Sequence, residues 1–374
     1  MTPAPDSLAR LAAPFDAFAR QDCSTEPLYA ALALALAARP PLLGLLQAAP
    51  PTQRRPTLLL AALHDRLLAL AEAGAPLPPL AAYYPSLGGV RPPDSSLGVA
   101  LEAFVAEHGG ALRETIATQR TQTNEIGRSA VLWPALAEIS RRHGGRPLAL
   151  FDFGCSAGLN LSVDGFQVAY SGAATLAVGP GAPAAPRVAC RLVGGVPPWT
   201  PWTIAHRQGV DLAPIDLDDT GALRWLRACL WPSEHERATR FEQAVALARA
   251  ARHPVVRSDD GISVLARWLS HLPAGVTPVM FNSWVLAYFT GDELARHTER
   301  VLALVQDHGL VWLSAEDETR LAATSGLAAA PGLSAHEPGT PTYWSLSEPG
   351  RDGPAHSLLA RSHPHGVWLE WLAG

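Results

Sequence analysis

The chain has 374 residues, of which 48% are hydrophobic and 17% charged, with a formal net charge of −5. That apolar share supplies sizeable cores and excludes a disordered chain, and the length suits two domains. The charge is mildly acidic with no basic run, which gives no electrostatic case for nucleic acid, and the absence of lysine excludes a catalytic lysine.

Residues 8–72 read as helices punctuated by proline. Leu8, Leu11, Phe15 and Phe18 keep helical spacing, Leu28 to Ala38 follows, and Leu58 to Glu72 ends at Gly74. The apolar run from Leu28 is about half the ~20 residues that span a bilayer, so it reads as a buried helix and no membrane is expected. A Pro/Gly-rich stretch then carries Tyr83-Tyr84-Pro85 and Gly88-Gly89. A helix is expected from Ser95 through Glu107, closed by Gly109-Gly110. Another segment runs from Leu112 to His143, interrupted by the polar cluster Gln122-Thr123-Asn124-Glu125-Ile126-Gly127-Arg128. Residues 1–145 thus read as an all-α N-terminal or cap domain.

Strands begin at Pro147. The run Leu148 to Phe153 holds Asp152, and Gly154-Cys155-Ser156-Ala157-Gly158 then leads into Leu159, Leu161 and Val163. This predicts a buried strand, a tight turn and the opening of a helix, whose unpaired N–H groups suit an anionic ligand. Residues 166–202 look like an inserted β-hairpin or lobe. Strands are expected near Trp202 to Asp211, Val255 to Arg257 (ending at Asp259-Asp260), Pro278 to Phe281 (ending at Asn282-Ser283) and Leu310 to Ser314. Helices lie between them, one opening with the capping-box spacing Ser233 to Glu236. Two late strands fall near 343–346 and 367–371. The alternation implies a doubly wound, Rossmann-like α/β sheet in a domain of residues 146–374, with ligands beyond the carboxyl ends of its strands.

Four cysteines, Cys23, Cys155, Cys190 and Cys229, show no C-x-x-C spacing, which argues against a metal site or redox pair. With no signal-peptide pattern at Met1, a cytoplasmic protein is expected.

The motif Asp152-x-Gly154-x-Ser156-x-Gly158 resembles the acidic–glycine loop of class I S-adenosylmethionine-dependent methyltransferases. That resemblance extends over 147–314. It implies S-adenosylmethionine as cofactor, bound at Asp152, Gly154, Ser156 and Gly158, with Asp211 on the ribose hydroxyls and Asp259 or Asp260 on the adenine amine. Asn282 and Ser283 would also bind the cofactor, Asn282 with a catalytic role, and Trp284 and Tyr288 would meet the substrate beside the transferred methyl, an aromatic face stabilising the sulfonium. The separation from Asp152 to Asp211 is 59 positions (211 − 152), against roughly 20 in an uninterrupted unit; the insertion accounts for this, and Asp164 is the fallback. The cap residues Tyr83, Tyr84, Asn124, Glu125 and Arg128 would close over a small-molecule acceptor, with Glu125 as base and His143, His363 and His365 as weaker choices. The whole chain also resembles a bacterial domain-of-unknown-function family (DUF 2332), through Gln122–Arg128, Gly154–Leu161, Arg207–Pro214 and Trp231-Pro232.

Two alternatives stand beside this. Gly154-Cys155-Ser156-Ala157-Gly158 is a literal G-x-S-x-G, the nucleophile elbow of α/β-hydrolases, with Asp259 or Asp260 and His363 or His365 in the right chain order. The helical residues 1–140 lack the strands that precede such an elbow. A non-catalytic nucleoside-binding or scaffold protein would keep the fold alone. Neither the acceptor nor the oligomeric state is readable.

Overall fold

In a computed structural model the structure describes residues 5–23, 25–121, 124–330 and 340–373. The helices are α1 (Pro5–Gln21), α2 (Pro27–Ala37), α3 (Pro40–Leu43), α4 (Pro56–Glu72), α5 (Leu97–Thr118) and α6 (Ser129–Arg142). Strand β1 (Leu148–Phe153) follows, then β2 (Gln167–Gly172), β3 (Leu176–Val178), β4 (Arg187–Gly194) and β5 (Ile204–Asp211). Next come α7 (Thr220–Ala228), α8 (His235–Ala251), β6 (Val255–Arg257), α9 (Gly261–Ser270) and β7 (Thr277–Ser283). The remaining elements are α10 (Gly291–His308), β8 (Val311–Glu316), α11 (Glu318–Ser325), β9 (Thr342–Glu348), β10 (Ala355–Ser362) and β11 (Trp368–Trp371). No strand precedes β1 among the described residues.

Two compact units emerge, residues 1–123 with 217–239, and 124–216 with 240–374. The first is helical. Proline starts α2, α3 and α4, where its missing N–H costs nothing. Their apolar faces, with Leu32, Leu36, Leu59, Leu63, Leu101 and Phe104, form one core that also takes Trp225 of α7. The return of 217–239 is fixed by polar contacts. Trp225 donates to the Arg120 carbonyl at 2.8 Å, and Arg224 pairs with Asp65 at 3.0 Å. Ser233 donates through its N–H and hydroxyl to Glu26 at 3.1 and 3.0 Å. The Ser233–Glu236 spacing therefore does not act as a capping box; α10 carries one instead, between Thr290 and Glu293. Helix α5 also runs through Gly109-Gly110 rather than stopping there, because Leu112 and Ile116 continue its buried face.

The second unit is built on one eleven-stranded sheet, in the order β3-β2-β4-β11-β10-β9-β8-β7-β1-β5-β6. Pairing is parallel from β6 through β5, β1 and β7 to β8. Numbered in chain order, these strands read 3-2-1-4-5, so the winding reverses at the β1/β7 junction. Phe151, Met280 and Trp312 pack with α9 and α10 residues such as Leu265 and Val305 in a second core. Helix α6 belongs to this unit, held by Tyr170 donating to the Ala130 carbonyl at 2.8 Å and by Arg142 and His143 on Glu348 at 2.6 and 2.9 Å. The contact boundary thus falls at 123/124, upstream of the 145/146 division read from the first strand.

Three details differ from the sequence expectation. Residues 166–202 form no separate lobe: β2, β3 and β4 are the far edge of the same sheet, joined through β4 to β11. There are three late strands, the additional one being β10, whose mixed run Ala355-His-Ser-Leu-Leu-Ala-Arg-Ser362 lacks clean alternation. The segment after Gly158 is a kinked 3-10 turn over Leu159–Gly165, with Ser162 outside helical geometry, so no α-helix opens on the glycine loop.

Candidate functional site

The carboxyl ends of β1, β5, β7 and β8 present Asp152, Asp211, Asn282-Ser283 and Glu316 along one edge of the sheet. Open parallel sheets bind ligands at such an edge, where neighbouring loops diverge to either side. Asp152 and Glu316 follow apolar runs, whereas Asp211 ends the mixed run Ile204-Ala-His-Arg-Gln-Gly-Val210, and its neighbours hold each acid there.

Asp211 binds the glycine loop itself. Its Oδ2 accepts the Ser156 N–H at 2.8 Å and its Oδ1 the Ala213 N–H at 2.9 Å. Asn124 clamps the same loop, donating to Ser156 Oγ at 3.0 Å and accepting the Ala157 N–H at 3.3 Å. Ser156 consequently has a left-handed backbone, φ 51°, and Trp284 just beyond β7 has φ 57°. Left-handed geometry in residues other than glycine costs about 1–3 kcal/mol and concentrates at functional sites. Ser156 and Trp284 lie in the turns flanking the point where the winding reverses, whereas the third such residue among the described ones, Arg252 (φ 48°), follows α8.

The glycines are required by the protein's own packing. A Cβ on Gly154 (φ 74°) would sit 2.4 Å from a Val285 methyl, and one on Gly158 (φ 68°) 3.0 Å from Val255. The close approach expected of a ligand is made there by two valines.

Asp152 is 3% exposed, and its Oδ2 has no hydrogen-bond partner among the described residues. Burial first, then the charge of Asp211, pushes its carboxyl up to about 7, with Arg128 opposing. Glu316, 2% exposed, is similarly pushed to about 7, mainly by burial. Its Oε1 accepts from Asn282 Nδ2, the Val285 N–H and the Leu286 N–H at 2.8, 2.9 and 3.1 Å, whereas Oε2 is unmatched among the described residues. Arg128, also buried, donates to the carbonyls of Pro364 at 3.0 Å and Ser283 at 3.4 Å. One guanidinium therefore lies within electrostatic reach of two strand-end carboxyls that can exchange a proton near neutral pH.

The family described as "Uncharacterized protein conserved in bacteria (DUF2332)" matches residues 12–371. The chain belongs to this family. Comparison with curated proteins gave no match.

In this member the predicted site residues separate into groups. Asn124, Glu125, Arg128, Asp152, Gly154, Ser156, Gly158, Asp211, Asn282, Ser283 and Trp284 all belong to the second unit and sit at or beside these strand ends. Gln122 and Thr123 of the polar cluster lie outside the described residues. Glu125 is buried and accepts the Gly127 N–H at 2.8 Å, starting the turn that positions Arg128. Asn282 is fully engaged, accepting from Trp312 at 2.6 Å and donating to Ser314 at 3.2 Å as well as to Glu316. Trp284 donates its indole N–H to Thr342 Oγ1 at 2.8 Å, and Tyr288 is 69% exposed.

Asp260 caps α9 through the Ser263 N–H at 3.1 Å and pairs with Arg300 at 2.9 Å, which depresses its carboxyl to about 2. Asp259 is exposed beside it. The fallback Asp164 is held by Arg207 at 2.6 Å. Tyr83 and Tyr84 are buried in the helical unit, where the Tyr83 hydroxyl donates to Asp94 at 2.8 Å. His363 and His365 pack ring to ring at 5.4 Å between centroids.

Sequence reading missed Glu316. It ended the fifth parallel strand at Ser314, although an acid two residues past an apolar run is the same signal that singled out Asp152.

Proposed function

We propose that the sheet unit is a class I S-adenosylmethionine-dependent methyltransferase acting on a small-molecule acceptor at the carboxyl edge of the β1/β7 junction. The observation that carries this reading is the 3-2-1-4-5 winding, with the glycine loop leaving β1 and Asp211 ending its neighbour β5. In-line transfer from a sulfonium needs positioning above all, a contribution of about 7–11 kcal/mol through effective molarity. Asp211 already spends one lone pair of each oxygen on the loop, and each retains another for a ribose hydroxyl. The 3-10 turn removes the helix N–H contribution anticipated for the donor's carboxylate, about 0.3–1 kcal/mol. Ribose recognition is thus the principal contact in this reading. Asp152 and Glu316 supply proton-accepting groups for the acceptor.

Calorimetric titration of the full chain with S-adenosylmethionine and with its demethylated product tests this. Saturable heat that disappears in Gly154→Arg is expected; no heat with either nucleoside from folded protein overturns it. Binding without turnover on any acceptor would favour a nucleoside-binding scaffold.

One observation favours a hydrolase. Ser156 stands in left-handed geometry at the centre of its G-x-S-x-G. Its Oγ accepts from Asn124 at 3.0 Å, and Asp260 is committed to α9 and Arg300. Modification of Ser156 by a fluorophosphonate would restore that reading.

A further inference from the structure

A second constellation lies wholly within the helical unit, on α4, α7 and the turn at Pro85–Leu87. His64, 2% exposed, has Nδ1 at 3.2 Å from the Ala228 carbonyl and Nε2 at 2.8 Å from Ser86 Oγ. A carbonyl only accepts, so Nδ1 carries the proton in the neutral ring. The Nε2 lone pair then faces Ser86, whose hydroxyl must donate. The Tyr84 ring packs 5.3 Å from the imidazole, and burial keeps the imidazole neutral by lowering its pKa to about 4. Ser86 itself is exposed.

We propose that Ser86 is an activated nucleophile, with His64 as its general base and the Ala228 carbonyl as the group that orients the base, and that it takes acyl groups from small activated esters. This is the order of roles in nucleophilic serine catalysis: nucleophile, base within hydrogen-bond reach, and a third group fixing the tautomer. The end of α7 and the turn after it reach the ring through the backbone carbonyls of Ala228 and Leu230. On the other side of the ring a water molecule would satisfy Nε2 equally well, so the serine hydroxyl is not needed there for structure.

In the step, Ser86 Oγ forms a bond to the ester carbonyl carbon while its proton passes to His64 Nε2. The ester C–O bond breaks, and the leaving alcohol takes that proton. Water then attacks the acyl-serine, giving its proton to Nε2. The Oγ–acyl bond breaks, the acid departs, and the proton returns to Oγ. The N–H groups of Leu87, Gly88 and Gly89 are committed to the carbonyls of Tyr84 and Pro85 at 3.0, 2.9 and 2.9 Å. Turnover is accordingly slow, and covalent labelling is the primary readout.

The full chain would be treated with a fluorophosphonate probe and with p-nitrophenyl acetate, and the adduct mapped by peptide mass spectrometry. Label and acetyl on Ser86 are expected, with loss of both in Ser86→Ala, an exposed position whose melting temperature should match the parent. In His64→Gln the labelling rate should fall by about 100-fold or more. Folded parent protein unlabelled at Ser86, including protein labelled only at Ser156, overturns the proposal. So does a His64→Gln variant that is folded and labels at the parental rate. None of these outcomes depends on nucleoside binding by the sheet unit.

Discussion

The buried carboxylates of the helical unit and those at the strand ends of the sheet unit are held differently. In the helical unit Glu26 gives both oxygens to Ser233 and Asp65 meets Arg224. At the strand ends of the sheet unit Asp152 and Glu316 each bury one oxygen without a partner among the described residues. A matched buried charge fixes one packing arrangement. An unmatched one costs stability, and its cost is tolerated where a ligand or proton is to be handled.

The sharpest way to break this contrast is Glu316→Ala. It leaves Asn282 Nδ2 and two backbone N–H groups without their acceptor, and stability should fall by about 3–5 kcal/mol in denaturant titration. Next comes Asp152→Asn. An unfolded aspartate ionises near its ordinary 3.8, the folded one near 7. Between those values the folded state holds the extra proton, so Asp152 makes stability decline as pH rises through that window and level off above it. Urea unfolding at pH 5 and pH 8 should show the parent weaker at pH 8, and Asp152→Asn should reduce that difference by about 2–4 kcal/mol.

Glu26→Ala probes the matched side. Losing two hydrogen bonds at Ser233 should cost about 1–2 kcal/mol, offset in part because the buried carboxyl is itself raised. Asp260→Ala should cost only about 1 kcal/mol, as a helix cap, and leave any nucleoside affinity unchanged; a large loss of affinity would return Asp260 to the site.

Much of this fold was legible because short apolar runs followed by polar or charged residues mark parallel strands whatever surrounds them. β1, β6 and β7 lie where Leu148, Val255 and Pro278 indicated. The unreadable parts were decided by partners distant in sequence. Ser233 carries capping-box spacing, yet Glu26 claims it from 207 positions away. The glycine loop has the spacing of a helix-opening turn, yet Ser162 leaves helical geometry and β2 begins at Gln167. Asp260 looks like a ligand-facing strand end until Ser263 and Arg300 are seen to occupy it. Asp152 and Glu316 differ from it in lying on the strands themselves and in being buried, which no local pattern encodes.

One more consequence follows from β11. Trp368–Trp371 lies between β10 and β4, so the β3-β2-β4 edge joins the other described strands through β11. Those three strands have no partner on that side until β11, distant in sequence, is in place, so the sheet is completed by a long-range pairing. Removing β11 would leave two disconnected pieces of sheet, each with an open, aggregation-prone edge.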